Sequence, residues 1–402
     1  MNEQLIVKNF GPIKDATVNF KRVTVFIGPT GGGKSTLAKL AAVFRDAEVY
    51  SGGEVEIRNA LNKMGLSTFY SVETYVECAS RLATSRYEHD VWKFENHPSI
   101  EEEKLETISS LLERIEYVNK SHNEVKNKNS TLSYDELNKN QKLIDEAKLI
   151  ALNFLKKHAA QNTPTYIPSE RIFVSSIEYS WAGLLRDDIS LPNTLLNFAN
   201  SYSTARKSIK ELMIYFLSIT YIHLEGRDFV KIPNREALLV MTEAASGIQS
   251  VTPMLVLLEY LSRNVALAQS FIVEEPELNL YPTAQQGLLN WLVEKCTKGE
   301  NDLTITTHSP YILSSCNLLL EAYKVAQQRP ELTDEIAAIV PRECWINPDE
   351  FAAYYVADGT VKPITDVRTH LIGANELDAV SGDIADSFRK LLRLQKQKQP
   401  SA

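Results

Sequence analysis

The chain has 402 residues, of which 44% are hydrophobic and 23% are charged, and its formal net charge is −8. This length and composition are typical of a globular protein with two or three structural units. The negative charge excludes a global positive field that would hold nucleic acid, although it leaves room for a local basic patch.

Cysteine spacing and hydropathy predict a cytoplasmic protein that does not enter a membrane. The four cysteines lack the CxxC spacing of a metal finger, which favours reduced thiols. The first ten residues, MNEQLIVKNF, have no basic region followed by an apolar region, so they do not resemble a signal peptide. No uninterrupted apolar run approaches the ~20 residues that a membrane helix needs.

The N-terminal segment predicts three short strands. The runs at 5–7 and 16–20 flank a turn at Gly11-Pro12, and a third apolar run covers 23–27. The third run leads directly into a glycine-rich sequence. The segment therefore ends where a ligand-binding loop could begin.

The glycine-rich sequence GPTGGGKST predicts a phosphate-binding loop. It has the spacing G-x-x-x-x-G-K-[ST] and lies between the third strand and an amphipathic helix predicted at 36–44, the context that this motif requires. Backbone N–H groups of such a loop face phosphate oxygens, and the helix N-terminus adds partial positive charge. Lys34 is predicted to reach the β- and γ-phosphates, and the Ser35 hydroxyl to bind Mg²⁺. The residues assigned to nucleotide binding are Gly28, Pro29, Thr30, Gly31, Gly32, Gly33, Lys34, Ser35 and Thr36.

The middle of the chain predicts a helical insert. Apolar residues recur at spacings of three and four around 105–115 and again around 143–154, and a polar, Asn-rich stretch separates them. This pattern favours a helical hairpin at about 98–160. After it, strand-like sequence resumes at YIPSER, a long helix is predicted around 209–222, and a strand is predicted at 237–241.

A second chemistry-bearing sequence is SFIVEEPELNLYP, which begins at residue 270. Its apolar run predicts a buried strand that ends in Glu274 and Glu275. In P-loop ATPases such a strand delivers one carboxylate to the Mg²⁺ shell and another to the attacking water. Adjacent side chains on a strand point to opposite sides, so Glu274 is assigned to the metal and Glu275, just past the strand end, to the base. A solvent-exposed acid pair is the weaker alternative.

A third sequence, LTITTHSP at 303–310, predicts another strand that ends in His308. Ser309 and Pro310 are typical of the first positions of a helix. An imidazole there can donate a hydrogen bond to a γ-phosphate oxygen. A lone histidine is usually structural, but its position about thirty residues after the acid pair, with one helix between, favours a catalytic role.

Residues Ser246 and Gly247 open an apolar helix and predict a second, small anion-binding terminus. An ordinary helix cap accounts for these two residues equally well. The surrounding sequence therefore decides their interpretation.

In this order the motifs resemble the ABC-type ATPases, in the branch that contains SMC proteins and the OLD (overcoming lysogenization defect) family. The resemblance depends on KNFGPI, GPTGGGKST, YIPSER, ASGIQS, IVEEPELNLYP and TTHSPYIL, which cover residues 1–50 and about 165–320. It implies an α/β fold: an ABC-type ATPase head with a mixed sheet, an inserted helical hairpin and a small C-terminal α+β element. The implied parts are the head's N-terminal half at 1–97, the insert at 98–160, the head's C-terminal half at 161–334 and the C-terminal element at 335–402.

The resemblance also implies roles for residues outside the phosphate loop. Ser246, Gly247 and Gln249 stand in the signature motif, which contacts the nucleotide held by another subunit. Residues Glu277–Leu280 form the D-loop, and His308 is the switch histidine. A homodimer or higher homo-oligomer with ATP sandwiched between heads follows, and ATP and Mg²⁺ are the implied cofactors.

Several departures from the family pattern narrow this interpretation. Glu274 stands where an Asp is usual, and ASGIQS in place of LSGGQ disfavours a transporter subunit. The Q-loop glutamine is not assigned, although Gln161 lies near the right region. The insert is either a shortened coiled coil or a plain helical lobe. No DxD cluster follows His308, so we predict no nuclease in this chain.

Three functions compete for this ATPase, whose catalytic residues are predicted to be Glu275, His308 and Glu274. The first is a regulatory ATPase of a bacterial anti-phage defence system that controls a separate effector, such as a nuclease or toxin. The second is a DNA-repair or chromosome-maintenance ATPase that clamps DNA, and the third is a transporter motor. The acidic charge predicts weak DNA binding.

Overall fold

The computed structural model describes residues 3–79, 83–89, 91–96, 142, 164–176, 191–263, 268–373 and 388–389. The predicted helical hairpin at 98–160, apart from residue 142, and Gln161 lie outside the described residues. Among the described helices, none combines the length and hydropathy needed to cross a bilayer.

Strands of the described residues form two sheets. The strands of the larger sheet are β1 Glu3–Phe10, β2 Ile13–Phe20, β3 Val23–Ile27, β4 Tyr75–Ala79, β5 Ala83–Glu88, β6 Val91–Asn96, β7 Thr165–Ile167, β12 Ser270–Glu274, β13 Asp302–Thr307, β14 Phe351–Ala357 and β15 Thr360–Pro363. The smaller sheet contains β8 Glu211–Ile214, β9 Ile219–Leu224, β10 Arg227–Lys231 and β11 Leu239–Val240. The larger sheet has the order β6-β5-β4-β1-β2-β15-β14-β3-β13-β12-β7, and the smaller has the order β11-β10-β9-β8.

Helices pack on the larger sheet and on each other. They are α1 Lys34–Arg45, α2 Ala47–Lys63, α3 Ile172–Ser176, α4 Asn193–Ser208, α5 Ser246–Ser262, α6 Pro282–Cys296, α7 Pro310–Gln328 and α8 Thr333–Ile339. The helix predicted at 36–44 is confirmed as α1, and the three predicted N-terminal strands are confirmed as β1, β2 and β3.

The larger sheet is mixed, as predicted. Strands β14, β3, β13, β12 and β7 pair in parallel, whereas β2, β1, β4, β5 and β6 pair as antiparallel neighbours. Each residue of β3, β12 and β13 is buried, but buried and more exposed residues alternate along the start of β1. This difference is expected because parallel strands are covered on both faces.

The sheet separates two hydrophobic cores. Val25 and Ile27 of β3 belong to one core and Phe26 belongs to the other. Helix α1 contributes to the second core, and α5, α6 and α7 contribute to the first. The carboxyl ends of the central parallel strands therefore lie between two packed layers, where loops can converge on a ligand.

The predicted helix at 209–222 is wrong. The helix of this region, α4, ends at Ser208, and the chain then forms β8 and β9. Burial alternates along β9, with Ile219, Tyr221 and His223 inside. This period of two belongs to a strand that packs on one face, and apolar content alone did not distinguish it from a helical period.

The strands of the predicted C-terminal element lie inside the larger sheet. Strand β14 pairs in parallel with β3, and β15 lies between β14 and β2. A tight hairpin turn at Asp358-Gly359 connects β14 to β15, and both residues have the positive φ that such a turn requires, 52° and 77°. Beyond residue 373, the predicted C-terminal element lies outside the described residues except at 388–389.

Candidate functional site

The predicted phosphate loop connects the central strand β3 to the start of α1. Strands β13 and β14 flank β3 on its two sides. Gly28, Gly31 and Gly33 have φ of 153°, 80° and 103°, and Gly33 caps α1. The loop therefore has the local conformation in which consecutive N–H groups can face an anion at a helix N-terminus.

Close backbone packing explains two of the glycines. A Cβ atom on Gly28 would lie 2.1 Å from the carbonyl oxygen of Val356, and one on Gly32 would lie 2.5 Å from the same oxygen. Val356 belongs to β14, so a strand from near the C-terminal end of the chain forms one wall of the loop. No side chain fits at either position without moving that wall.

Lys34 lies inside the loop. Its side chain is buried, and Nζ donates hydrogen bonds of 2.9 Å to the carbonyl oxygens of Gly28 and Pro29. Burial lowers the pKa of Lys34, and the negative charges of Glu275, Glu274 and Glu277 oppose this shift. The ammonium therefore lies within electrostatic range of three carboxylates at and just after the end of β12.

The two residues after Lys34 have different environments. Ser35 is exposed at the first turn of α1, whereas Thr36 is buried. Pro29, Thr30 and Gly31 are exposed as well. The loop therefore presents its tip and the Ser35 side chain to solvent.

The acid pair ends β12, as the sequence predicted. Glu274 is the last residue of the strand, and its side chain is buried with Oε1 lacking a hydrogen-bond partner. Glu275 follows in the left-handed region with φ of 42°, and its N–H donates to the carbonyl oxygen of Thr306 over 2.8 Å. The two carboxylates therefore lie in different surroundings.

His308 contacts the second carboxylate. The residue follows β13, which pairs directly with β12, and its Nε2 lies 3.0 Å from Oε1 of Glu275. Both side chains are partly exposed, at 34% for His308 and 25% for Glu275. Ser309 caps α7 by accepting a hydrogen bond from the N–H of Tyr311, so the predicted helix start is confirmed.

The signature residues lie at the start of α5. Ser246 is exposed, and Gly247 packs so closely that a Cβ atom there would lie 2.6 Å from the carbonyl oxygen of Asn279. The Gln249 amide donates to the carbonyl oxygens of Thr242 and Ala244. This turn is therefore fixed against Asn279 of its own chain, and its contacts do not reach the phosphate loop among the described residues.

Glu277 is a residue of this site to which the sequence analysis assigned no chemistry. Its buried carboxylate accepts hydrogen bonds from the Thr307 hydroxyl and, over 3.0 Å, from the N–H of His308, while its Oε2 has no partner. It therefore holds the turn that carries the histidine. A third glutamate so close to the acid pair was a visible signal in the sequence.

Arg171 was missed as well. It is the last residue of YIPSER, and its fully buried guanidinium reaches the carboxyl end of β12 and the first turns of α5. In the sequence, Arg171 stood out only as a charged residue inside YIPSER, one of the motifs that carry the family resemblance.

The chain matches the family described as "AAA ATPase domain" over residues 1–313, more than half of its length. The comparison with curated proteins found no match. Among solved structures, the chain is similar to the recombination mediator protein RecF–ATPrS of the RecFOR pathway, with a TM-score of 0.31, 11% sequence identity, and coverage of 90% of this chain and 97% of that chain. By its family match, this chain belongs to the AAA ATPase domain family and is a nucleotide-binding P-loop ATPase.

Proposed function

We propose that the chain binds ATP with Mg²⁺ at residues 28–36 and hydrolyses it with Glu275 as the base or water-positioning group. The observation that carries this proposal is the 3.0 Å contact between Glu275 and His308 at the strand end beside the buried Lys34. We also propose the division of the chain into the two halves of the ATPase head at 1–97 and 161–334, the insert at 98–160 and the C-terminal element at 335–402.

The donor groups of the site fit Mg²⁺. Glu274 has a buried carboxylate oxygen without a partner, and such an atom is costly unless a ligand or water satisfies it. Mg²⁺ takes oxygen ligands, commonly one or two from the protein and the rest from phosphates and water. Glu274 and the exposed Ser35 hydroxyl would hold the ion, which when bound neutralises charge on the phosphates.

Each side chain then has a defined task. Lys34 exchanges its two carbonyl partners for β- and γ-phosphate oxygens. Glu275 accepts a proton from the water that attacks the γ-phosphorus, the bond between that phosphorus and the β–γ bridging oxygen breaks, and ADP leaves. His308 donates a hydrogen bond to a γ-phosphate oxygen. Substitution Lys34→Ala should therefore abolish binding of a fluorescent ATP analogue, and EDTA should stop hydrolysis. Hydrolysis that continues after removal of divalent ions contradicts the metal assignment.

Dimerisation on ATP is the second part of the proposal. Ser246 is exposed at the N-terminus of the long helix α5, a favourable position for the phosphates of a nucleotide held by another subunit. The Gln249 side chain, by contrast, serves its own turn. We therefore assign the trans contact to Ser246 and Gly247, in a homodimer or higher homo-oligomer.

Mixed subunits test shared sites. A Lys34→Ala subunit and a Ser246→Arg subunit should each be inactive alone, but a heterodimer of the two places both lesions in one composite site and leaves the other intact. Partial ATPase activity should return on mixing. Inert heterodimers, with their composition verified by mass, would contradict the trans arrangement.

For the biological role we propose a regulatory ATPase of bacterial anti-phage defence that acts on a separate effector protein, a nuclease or toxin. The net charge of −8 and the absence of DxD after residue 308 in the sequence support control of a partner rather than cleavage of DNA by this chain. Co-purification with the product of a neighbouring gene tests this. Tight, salt-resistant DNA binding by the isolated chain would instead favour the alternative, a DNA-clamping repair ATPase.

A further inference from the structure

The guanidinium of Arg171 binds four backbone carbonyl oxygens from three parts of the chain. Its Nη1 donates to Glu274 over 2.7 Å and to Pro168 over 3.1 Å, and its Nη2 donates to Glu275 over 2.6 Å. Its Nε donates to Ser250 over 3.1 Å. One rigid side chain therefore joins the backbone of the acid pair to the first turns of α5.

Burial gives these contacts their strength. Arg171 is completely buried, and this burial lowers its pKa to about 10, a shift that Glu277, Glu275 and Glu274 only partly offset. The side chain therefore remains a cation at neutral pH. Within the described residues, its hydrogen-bond partners are all backbone carbonyl oxygens, so the carboxylates of the acid pair stay available for other ligands.

The backbone at Glu275 needs this support. A φ of 42° is unfavourable for a residue other than glycine, and such a conformation persists where its surroundings hold it. Three hydrogen bonds hold the backbone of Glu275: its N–H donates to Thr306, its carbonyl oxygen accepts from Arg171, and the same oxygen accepts from the N–H of Leu278 over 3.1 Å. The second of these bonds ties the orientation of the Glu275 side chain to the guanidinium.

A second contact joins the segment that carries Arg171 to α5. The Ser175 hydroxyl, on α3 just after Arg171, donates a 2.8 Å hydrogen bond to the carbonyl oxygen of Gln249. The segment that follows β7 therefore holds two consecutive carbonyl groups of α5, those of Gln249 and Ser250. A displacement of this turn cannot leave the Arg171 contacts unchanged.

We propose that Arg171 is a positioning residue that orients Glu275 for hydrolysis and couples this orientation to the position of α5. The inference rests on the catalytic role proposed for Glu275. Through Arg171, engagement of the Ser246 end of α5 by a nucleotide changes how the carboxylate is held. A planar guanidinium with several fixed donors suits this task, whereas a lysine ammonium cannot reproduce its geometry.

The chain offers a matched control for a substitution at Arg171. Arg45 is equally buried, but it binds the side chains of Glu3, Asp302, Ser270 and Thr304 at the opposite end of the strands. Arg171→Lys and Arg45→Lys therefore make the same chemical change in two buried sites. Of the two, only Arg171→Lys should affect the proposed coupling between α5 and Glu275.

The full-length variants are compared by thermal unfolding, by affinity for a fluorescent ATP analogue, and by kcat and KM of ATP hydrolysis. We expect Arg171→Lys to lower kcat by about 10- to 100-fold, the scale of a misplaced catalytic group, with nucleotide affinity changed less than about threefold. Arg45→Lys should lower the midpoint of thermal unfolding with kcat within about twofold of the parent. An equal loss of kcat in both variants overturns the proposal.

A double variant separates this inference from the role of Glu275. If Arg171 acts through Glu275, Arg171→Lys should not lower the residual rate of a Glu275→Gln protein any further. Additive losses would mean that Arg171 does not act through that carboxylate. A Glu275→Gln protein with the parental rate would instead refute the proposed base itself.

A measurement on the parental protein covers the case in which Arg171→Lys does not fold. The arginine Nε–H signals of the two buried residues can be assigned with the Arg45→Lys variant and followed by NMR. A non-hydrolysable ATP analogue should shift the Arg171 signal and leave the Arg45 signal unchanged. Equal shifts, or no shift of Arg171, would contradict the coupling.

Discussion

Strand β12 has a fully buried arginine at each end, and the two arginines bind different kinds of partner. At its first residue, Ser270, Arg45 contacts side chains, among them the carboxylates of Glu3 and Asp302 at 3.0 and 2.8 Å. At its last residue, Glu274, Arg171 contacts backbone carbonyl oxygens. The same residue type therefore serves two purposes along one strand.

The difference appears in the charge balance of the two ends. Burial alone lowers the pKa of Arg45, but Asp302 and Glu3 outweigh burial and leave the pKa raised. Burial dominates at Arg171 and leaves its pKa lowered. Where carboxylates neutralise an arginine directly, as Glu3 and Asp302 do at Arg45, the charge is balanced within the cluster, although the buried Nη2 of Arg45 has no hydrogen-bond partner. Where the arginine takes backbone oxygens, carboxylates remain for a metal ion and for water.

The largest effect should follow from a change at the carboxyl end of β12. Glu275→Gln removes a positioned base and should slow ATP hydrolysis by about two or more orders of magnitude while nucleotide binding persists. The same variant should accumulate as an ATP-bound dimer. Single-turnover hydrolysis and size-exclusion chromatography measure both effects. A parental rate would transfer the candidate role to Glu274.

At the other end of the strand, Arg45→Met should act on stability. Without the guanidinium, the carboxylates of Glu3 and Asp302 remain buried and uncompensated, which costs about 3–5 kcal/mol when one partner of a buried ion pair is removed. Urea unfolding should measure this loss, and kcat of the folded fraction should stay near the parental value. If Arg45→Met had parental stability but slow hydrolysis, Arg45 would act on catalysis and not on stability, which contradicts this comparison of the two arginines.

A smaller loss should follow from Ser270→Ala. The Ser270 hydroxyl accepts from Arg45 over 3.0 Å and donates to Asp302 over 2.9 Å, so its removal leaves two buried groups with fewer partners. The free energy of unfolding should fall by about 1–3 kcal/mol. Urea unfolding measures it, with Ser314→Ala, an exposed serine on α7, as the control that should change stability least.

The smallest effect concerns pH. Burial raises the pKa of Glu3 above its ordinary value in spite of Arg45, so the native state holds this proton more tightly than the unfolded chain does. The contribution of Glu3 to stability is therefore fully present below its unfolded pKa and falls as the pH rises through the folded value. The parental protein should lose stability relative to Glu3→Gln as the pH rises above the ordinary pKa of a glutamate, about 4.3. If the parental protein instead gained stability relative to Glu3→Gln as the pH rose, the attraction of Arg45 would outweigh burial and the pKa of Glu3 would be lowered.

Sequence reasoning succeeded where the chemistry is contiguous. The phosphate loop between β3 and α1, the acid-ended strand β12 and the cap before α7 each depend on a few neighbouring residues. It failed at 209–222, because apolar residues in a short run fit a strand and a helix alike until a packing face is known.

The sequence by itself determined the family, the mixed fold class and the local conformation of the phosphate loop, because glycine spacing and buried runs are local constraints. The tertiary structure alone decided what surrounds that loop: the Val356 carbonyl group of β14 against Gly28, and the Arg171 contacts with Ser250 and Glu275. These partners are backbone carbonyl groups distant along the chain. Every residue has such a group, so no side-chain pattern marks which one an arginine or a glycine will meet.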